Sequence, residues 1–345
     1  MRTSIRGLAS AVALLAGFAF TAGASAQEVT LKVHHFLSPK APAHTKLAMP
    51  WAEAVEKQSD GRIKVEVYPA MQLGGKPPQL IDQVRDGIVD VVWTLPGYTA
   101  GRYPVISAFE LPFMVTNAEA TSQAVQEYYG KHAKAEFGEV HPLFFHVHAR
   151  GSFHTRAAPI KTVADFDGLK LRAPNRLIGS ALDALGASPI FMPAPALPEA
   201  LSKGVVDGTV FPWEVVLPLK IFELAPNHAE MTSPRGMYTS VFIFAMNKAK
   251  YDGLPDDLKK VIDDNSGMAL AQRMGAVWDK VEVPGENKSR ERGNTIVELA
   301  DSEVAKIKEI TQPVIDTWIA DLTAAGHDGQ ALYDDANGLI EKYSQ

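Results

Sequence analysis

The chain has 345 residues, 46% hydrophobic and 21% charged, with a formal net charge of −6 and no cysteine. That length can bury sizeable apolar cores, and the missing cysteines exclude disulfides and thiolate chemistry. The acidic balance disfavours nucleic acid as a partner; it leaves room for a small anion, because local charge in a cleft decides that question.

Arg2 and Arg6 precede an apolar, Ala-rich run from Leu8 to Phe20, and Ala24-Ser25-Ala26 supplies a small-residue cleavage pattern. Residues 1–26 are therefore expected to be a signal peptide, cleaved before Gln27. The run is short for a membrane span. Losing Arg2 and Arg6 takes the net charge from −6 to −8. The expected location is the periplasm.

Val29 to Phe36 reads as a buried strand. Lys46 to Gln58 is amphipathic, with Pro50 marking a first turn or a kink. Ser59-Asp60-Gly61 is a turn, and Arg62 to Tyr68 alternates as a strand. Pro77 to Arg85 and Ala118 to Ala133 are helical, and Pro142 to Val147 is β-rich. Leu169 to Arg172 is a short strand stopped by Pro174, and Leu177 to Leu185 a helix ended by Gly186. Val215 to Leu224 is read as a helix and Tyr238 to Met246 as a buried strand. Sustained helix follows from Asp256, with a kink expected at Pro284. Asp301 to Leu322 and Gln330 to Tyr343 are the last helices.

One pattern occurs twice. Asp86-Gly87-Ile88-Val89-Asp90 ends a short helix and leads into Val91-Val92-Trp93; Lys203-Gly204-Val205-Val206-Asp207 does the same before Gly208-Thr209-Val210-Phe211. Each glycine falls where a helix ends, a position that favours the left-handed region. Two similar helix-to-strand units imply two similar α/β lobes, and two lobes with a cleft between them make a ligand clamp.

Gly168-Leu169-Lys170-Leu171-Arg172-Ala173-Pro174-Asn175 is the sharpest motif. A strand delivers Arg172 at its end, and Pro174 turns the chain there. Ligands of open α/β sheets bind outside the carboxyl ends of the strands, where a guanidinium can grip a carboxylate through two parallel hydrogen bonds. From spacing alone, a surface ion pair with Asp165 or Asp167 fits equally well.

This segment, with Leu185 to Pro189 and Gly204 to Gly208, closely resembles the substrate-binding subunits of TRAP (tripartite ATP-independent periplasmic) transporters. So do Ser59 to Ile63, Tyr68 to Gly74, Asp86 to Asp90 and Asn247 to Pro255, in order along the expected mature chain. The resemblance implies an α/β fold: a two-lobe periplasmic-binding-protein clamp, type II-like, with crossing strands and a long kinked helix linking the lobes. The expected first lobe comprises residues 27–150 and 238–283; the second comprises 151–237 and 284–345 with the C-terminal helices. The implied function is non-enzymatic: an extracytoplasmic receptor, expected to be a monomer without cofactor, delivers a small organic acid to TRAP-type membrane subunits. The resemblance also makes Arg172 the carboxylate-binding arginine and Asn175 a second polar contact. It places a helper arginine upstream, where Arg150 is preferred over Arg156.

The chain departs from the sialic-acid-binding branch of that family. Phe211 stands where that branch has Asn, Ala194 where it has an aromatic, Leu95 at its acidic contact and Phe36 at its first-strand asparagine. Sugar hydroxyls buried without partners would cost about 1–3 kcal/mol each. The expected lining of Phe36, Trp93, Tyr98, Phe211 and Trp213 suits a carboxylate with an apolar or aromatic body. His35 or His148 is expected to donate to a ligand oxygen. The competing function is a secreted metal-dependent hydrolase using His146 and His148, which would share a face of an extended strand. No acidic cluster accompanies them, so no metal site is assigned, although Glu214 could bridge a cation to the ligand as in some relatives. The phosphate-loop, G-x-S-x-G and H-E-x-x-H patterns are absent.

Overall fold

The computed structural model describes residues 27–345; the expected signal peptide lies outside the described residues. Eleven strands form two sheets. They are β1 (Val29–His35), β2 (Ile63–Tyr68), β3 (Val91–Thr94), β4 (Val140–Val147), β5 (Ser152–Thr155), β6 (Lys170–Ala173), β7 (Ser188–Phe191), β8 (Gly208–Phe211), β9 (Asn227–Glu230), β10 (Val241–Asn247) and β11 (Thr295–Glu298). The first sheet has the order β2-β1-β3-β10-β4, the second β11-β9-β5-β8-β6-β7. β1 pairs in parallel with β2 and β3, whereas β10 enters antiparallel to β3 and β4. In the second sheet, β6 runs parallel to β7 and β8, and β5 is the antiparallel insertion. This is the expected two-lobe α/β clamp.

The repeated sequence unit is a repeated structural unit. Gly87 and Gly204 both adopt positive φ, 72° and 69°. Asp90 accepts the Lys32 N–H at 2.8 Å, and its own N–H bonds the Lys32 carbonyl at 3.1 Å. Asp207 accepts the Lys170 N–H at 2.9 Å and returns its N–H to the Lys170 carbonyl at 2.7 Å. Each aspartate thus fastens the start of one strand to its neighbour, which sets the register of β3 on β1 and of β8 on β6. The carboxyl ends of those strands then face the cleft, as in other open sheets.

Four passages join the halves: residues 147–152 between β4 and β5, residues 230–241 between β9 and β10, helix Gly267–Glu291 leading to β11, and residues 324–329 between the last two helices. That helix is continuous through Pro284. At one part it lies on helix Ala118–Tyr128 and β4, at another on the turn Trp213–Val215. A Cβ on Gly285 would clash with the Trp213 carbonyl oxygen, so glycine lets the long helix pass this close to the end of β8. Helix Asp301–Ala324 packs on helix Arg176–Ala184, while its Trp318 Nε1 donates to the Pro104 carbonyl at 3.1 Å. Helix Gly329–Tyr343 returns to helix Ala118–Tyr128, with Lys342 bonded to Glu127 at 2.6 Å. The last helix therefore sits on the first sheet's side.

Three local readings differ. Residues 215–224 are not one helix: a turn at Trp213–Val215 and a short helix Ile221–Leu224 are separated by Lys220 at φ 55°. The helix from Ala118 ends at Tyr128 and widens into a π-turn over Tyr129–Ala133. The four-residue strands β5, β7, β9 and β11 are additional to the sequence-based elements; unlike the equally short β3, β6 and β8, they are preceded by no helix-glycine-aspartate unit or motif that marks them.

Candidate functional site

At the cleft edge of the first sheet, the ends of β1 and β3 and the start of β10 carry aromatic residues that stack face to face. Phe36 lies on Trp93 with centroids 5.0 Å apart, and Trp93 on Phe242 at 4.7 Å. Phe242 in turn stacks on His146 at 4.9 Å. The Trp93 Nε1–H donates to His146 Nε2 at 2.8 Å, so His146 Nδ1 carries the proton toward the Val147 carbonyl, 3.2 Å away. Burial holds His146 neutral, pushing its pKa down to about 3. The result is a rigid apolar wall.

The second sheet faces that wall with β6 and β8. Arg172, at the end of β6, is almost completely buried. Its Nε donates to the Met192 carbonyl at 2.9 Å, its guanidinium lies 4.9 Å over the Phe211 ring, and its Nη1 has no hydrogen-bond partner. A buried guanidinium edge without a partner is costly unless something fills it. Tyr98, Tyr238 and His148 all feel the Arg172 charge. The Tyr98 hydroxyl accepts the Ala194 N–H at 3.1 Å across the cleft, which leaves its own proton free to donate. His148 Nδ1 donates to the Ala149 carbonyl at 2.5 Å, so its unpartnered Nε2 presents a lone pair. Burial lowers the His148 pKa to about 3, with Arg172 adding to the shift.

These groups enclose one cavity of about 20 Å³ between the sheets, also bounded by Leu37, Leu95, Glu214 and Ser240. Its mix of aromatic walls with few polar groups suits a small organic ligand. Residues 33–321 match the family model of the bacterial extracellular solute-binding proteins, family 7.

The chain belongs to that family.

Two solved structures are especially similar to this family 7 protein. One is a TRAP solute-binding protein of an unidentified marine microbe, described as specific for aromatic acid ligands and solved with co-crystallised 3-hydroxybenzoate. It is 48% identical, with a TM-score of 0.91 over 92% of this chain and 100% of the other. The second, from Rhodoferax ferrireducens, holds copurified benzoate; it is 46% identical, with a TM-score of 0.89 over 91% of this chain and 98% of the other. The C4-dicarboxylate-binding periplasmic protein DctP of Rhodobacter capsulatus is 28% identical over 91% of this chain and 93% of its own. The TRAP-type resemblance carried by the motifs therefore holds. Proteins of this kind are periplasmic receptors that bind small carboxylates and work with TRAP membrane subunits. The hydrolase alternative gains no support.

The family 7 cavity gathers many of the expected residues. Arg172, Phe36, Trp93, Tyr98, Phe211 and His148 all line it. So do Phe36, Leu95, Ala194 and Phe211 as a set, the four positions that separate this chain from the sialic-acid branch. The remaining expected residues are placed elsewhere. Trp213 points behind β8, its Nε1 donating to Glu230 at 2.6 Å and its ring packed on His154 and His228. The Arg150 Nε donates to the Thr116 carbonyl at 2.8 Å and its Nη1 to the Ser233 carbonyl at 2.6 Å, outside the cavity. Arg156 borders a separate groove with Asp165 and Asp207. Asn175 caps helix Arg176–Ala184 through the Ile178 N–H at 3.0 Å and faces a neighbouring cleft with Glu110. His35 bonds His44 at 3.1 Å and touches only the edge of Trp93. Tyr238 and Phe242 also line the cavity and have no place in the sequence-based set; both lie in the crossing segment, whose destination local pattern does not reveal. Glu214, which the sequence offers as a cation bridge to the ligand, lines it too.

Proposed function

We propose that this protein is the receptor for monocarboxylates with an aromatic body, that Arg172 holds the carboxylate, and that the chain carries no catalytic activity of its own. The observation that carries the reading is the buried Arg172 Nη1 without a partner, in a cavity otherwise walled by Phe36, Trp93, Phe211 and Phe242. A ligand carboxylate entering there meets the guanidinium edge and the Tyr98 hydroxyl, and its ring meets the stacked wall. Closure removes water and strengthens the ion pair. The closed form is favoured by the contacts that only it offers. The similarity to receptors solved with 3-hydroxybenzoate and benzoate supports the same ligand class. In this reading residues 1–26 direct export and are removed, the lobes follow the two sheets, and a monomer presents the closed clamp to the TRAP membrane subunits.

The test is a thermal-shift and calorimetric screen of purified protein against benzoate, phenylacetate, succinate and glucuronate. Benzoate or phenylacetate is expected to stabilise and bind. Binding of glucuronate in preference to both aromatic acids would contradict the apolar lining and overturn the proposal.

A further inference from the structure

The cavity is lined by two polar groupings. In one, Arg172 acts on Tyr98, Tyr238 and His148. The other is Glu214, in the turn after β8, which lines the same cavity and is 4% exposed. Its Oε2 is buried without a hydrogen-bond partner. The Trp278 indole N–H, likewise without a partner, is near enough to act on its carboxyl. Aromatic residues line the rest of the cavity, so the ring of a ligand held there comes within reach of an acid.

Glu214 is not free to be an anion. Its neighbour Glu282, on the long helix, already accepts the backbone N–H groups of Trp213 at 2.8 Å and Glu214 at 3.0 Å. Burial raises both carboxyls, and the charge of Glu214 adds to the rise at Glu282, while the Trp278 hydrogen bond offsets part of the rise at Glu214. If Glu282 holds the charge, Glu214 is driven further toward its neutral form. If Glu282 is neutral, burial alone keeps Glu214 protonated at neutral pH, with its pKa raised to about 8. A protonated carboxyl offers one donor and one acceptor side by side. That pair is complementary to a hydroxyl, which likewise donates and accepts.

We infer that Glu214 is the specificity-determining residue for a ring hydroxyl, so that the preferred ligands are hydroxylated aromatic monocarboxylates rather than the bare acids. The inference rests on the aromatic-acid reading above and adds a polar substituent on the ring. A bare ring leaves the carboxyl unpaired, as it is without ligand; a hydroxylated ring pairs it.

The experiment is calorimetry of benzoate, 3-hydroxybenzoate and 4-hydroxybenzoate with the wild type, Glu214→Gln and Glu214→Leu. The readout is the ratio of affinities, whatever the absolute values do. The wild type is expected to favour at least one hydroxybenzoate over benzoate by about ten- to hundredfold. Glu214→Leu should bring that ratio to about one, and Glu214→Gln, which keeps a neutral donor and acceptor, should retain most of it. An unchanged ratio in Glu214→Leu, or no preference in the wild type, overturns the inference while leaving the aromatic-acid receptor standing. Should Glu214→Leu not fold, loss of the preference in Glu214→Gln overturns it equally. A wild-type preference that vanishes when metal cations are removed from the buffer assigns Glu214 to a charged, cation-bridging role and overturns it too. Failure of all three acids to bind removes the aromatic-acid reading itself.

Discussion

Arg172 is stacked 4.9 Å over the ring of Phe211, on the adjacent strand, with its Nε held by the Met192 carbonyl at 2.9 Å. Stack and hydrogen bond fix the plane of the guanidinium and leave one edge for a carboxylate. A lysine could supply the charge but neither the plane nor the fork. Arg172→Ala is therefore expected to cost roughly 2–5 kcal/mol of benzoate binding, and Arg172→Lys to recover only part of it. Phe211→Leu should cost about 1 kcal/mol, because the cation loses its desolvated aromatic partner. Calorimetry checks all three, with circular dichroism to confirm the fold. Full benzoate affinity in Arg172→Ala would remove this residue from the site.

Arg150 makes the opposite prediction. Its guanidinium is spent on the Thr116 and Ser233 carbonyls, and its stem covers Gly236, where an added Cβ would meet Arg150 Cγ at 2.6 Å. It ties the passage into β5 to the passage into β10. Arg150→Ala should lower stability by about 1–2 kcal/mol and leave benzoate affinity within about twofold, a change too small to mark a binding contact. A loss of affinity as large as that of Arg172→Ala would show that the arginine reaches the ligand after all.

The contrast between these arginines marks what could be read in advance. Arg172 was legible in two steps: local chemistry puts it where a strand ends and Pro174 turns the chain, and the family resemblance favours the cleft over a surface ion pair with Asp165 or Asp167. The paired units ending in Asp90 and Asp207 were legible from local pattern alone, since turn, cap and strand lie within a few residues of one another. Trp213 was not. Its direction depends on Glu282, 69 residues away, which takes its backbone N–H, and on Glu230, which takes its indole N–H. The same holds for Tyr238 and Phe242, which reach the cavity only because the segment into β10 crosses into the first sheet. The break in the expected helix over 215–224 follows from Lys220 at φ 55°, a conformation that only its tertiary setting imposes.

Stability should peak near neutrality and fall on both sides. His35, His146, His148, His154 and His228 are all lowered by burial, to between about 2 and about 4. Below their ordinary 6.5 the unfolded chain binds protons that the folded one refuses, so stability drops as the pH falls. Glu110 and Glu214, at about 8, and Glu136, at about 7, are raised by burial. Above their ordinary 4.5 the folded chain keeps protons that the unfolded one releases, so these groups lose stability as the pH rises toward 8. Between 4.5 and 6.5 the two sets oppose each other and the histidines are more numerous. A melting temperature measured from about pH 4 to about pH 9 should therefore be highest near pH 6 to 6.5. Glu110→Gln should flatten the alkaline side. A melting temperature still climbing at pH 8 would mean that the buried carboxyls ionise without penalty.

Closure itself can be tested at Gly97. A Cβ there would lie 2.9 and 3.0 Å from the two carboxyl oxygens of Glu110 and 3.0 Å from the Cβ of Asn175. Glu110 belongs to the first sheet's side, where it accepts the Val241 N–H at 3.1 Å. Asn175 belongs to the second, where it caps a helix. The Glu110 carboxyl can shift by a few tenths of an ångström; the Asn175 Cβ is fixed to the backbone. The methyl of Gly97→Ala would therefore press on the opposing lobe only when the clamp is shut. Because a ligand holds the closed state through the contacts available there, Gly97→Ala should weaken benzoate binding about tenfold, while the ligand-free melting temperature changes by no more than about 2 °C. Calorimetry and thermal unfolding on the same preparation separate the two effects. Equal affinity with and without the methyl would show that the lobes do not meet at this point when the ligand is held.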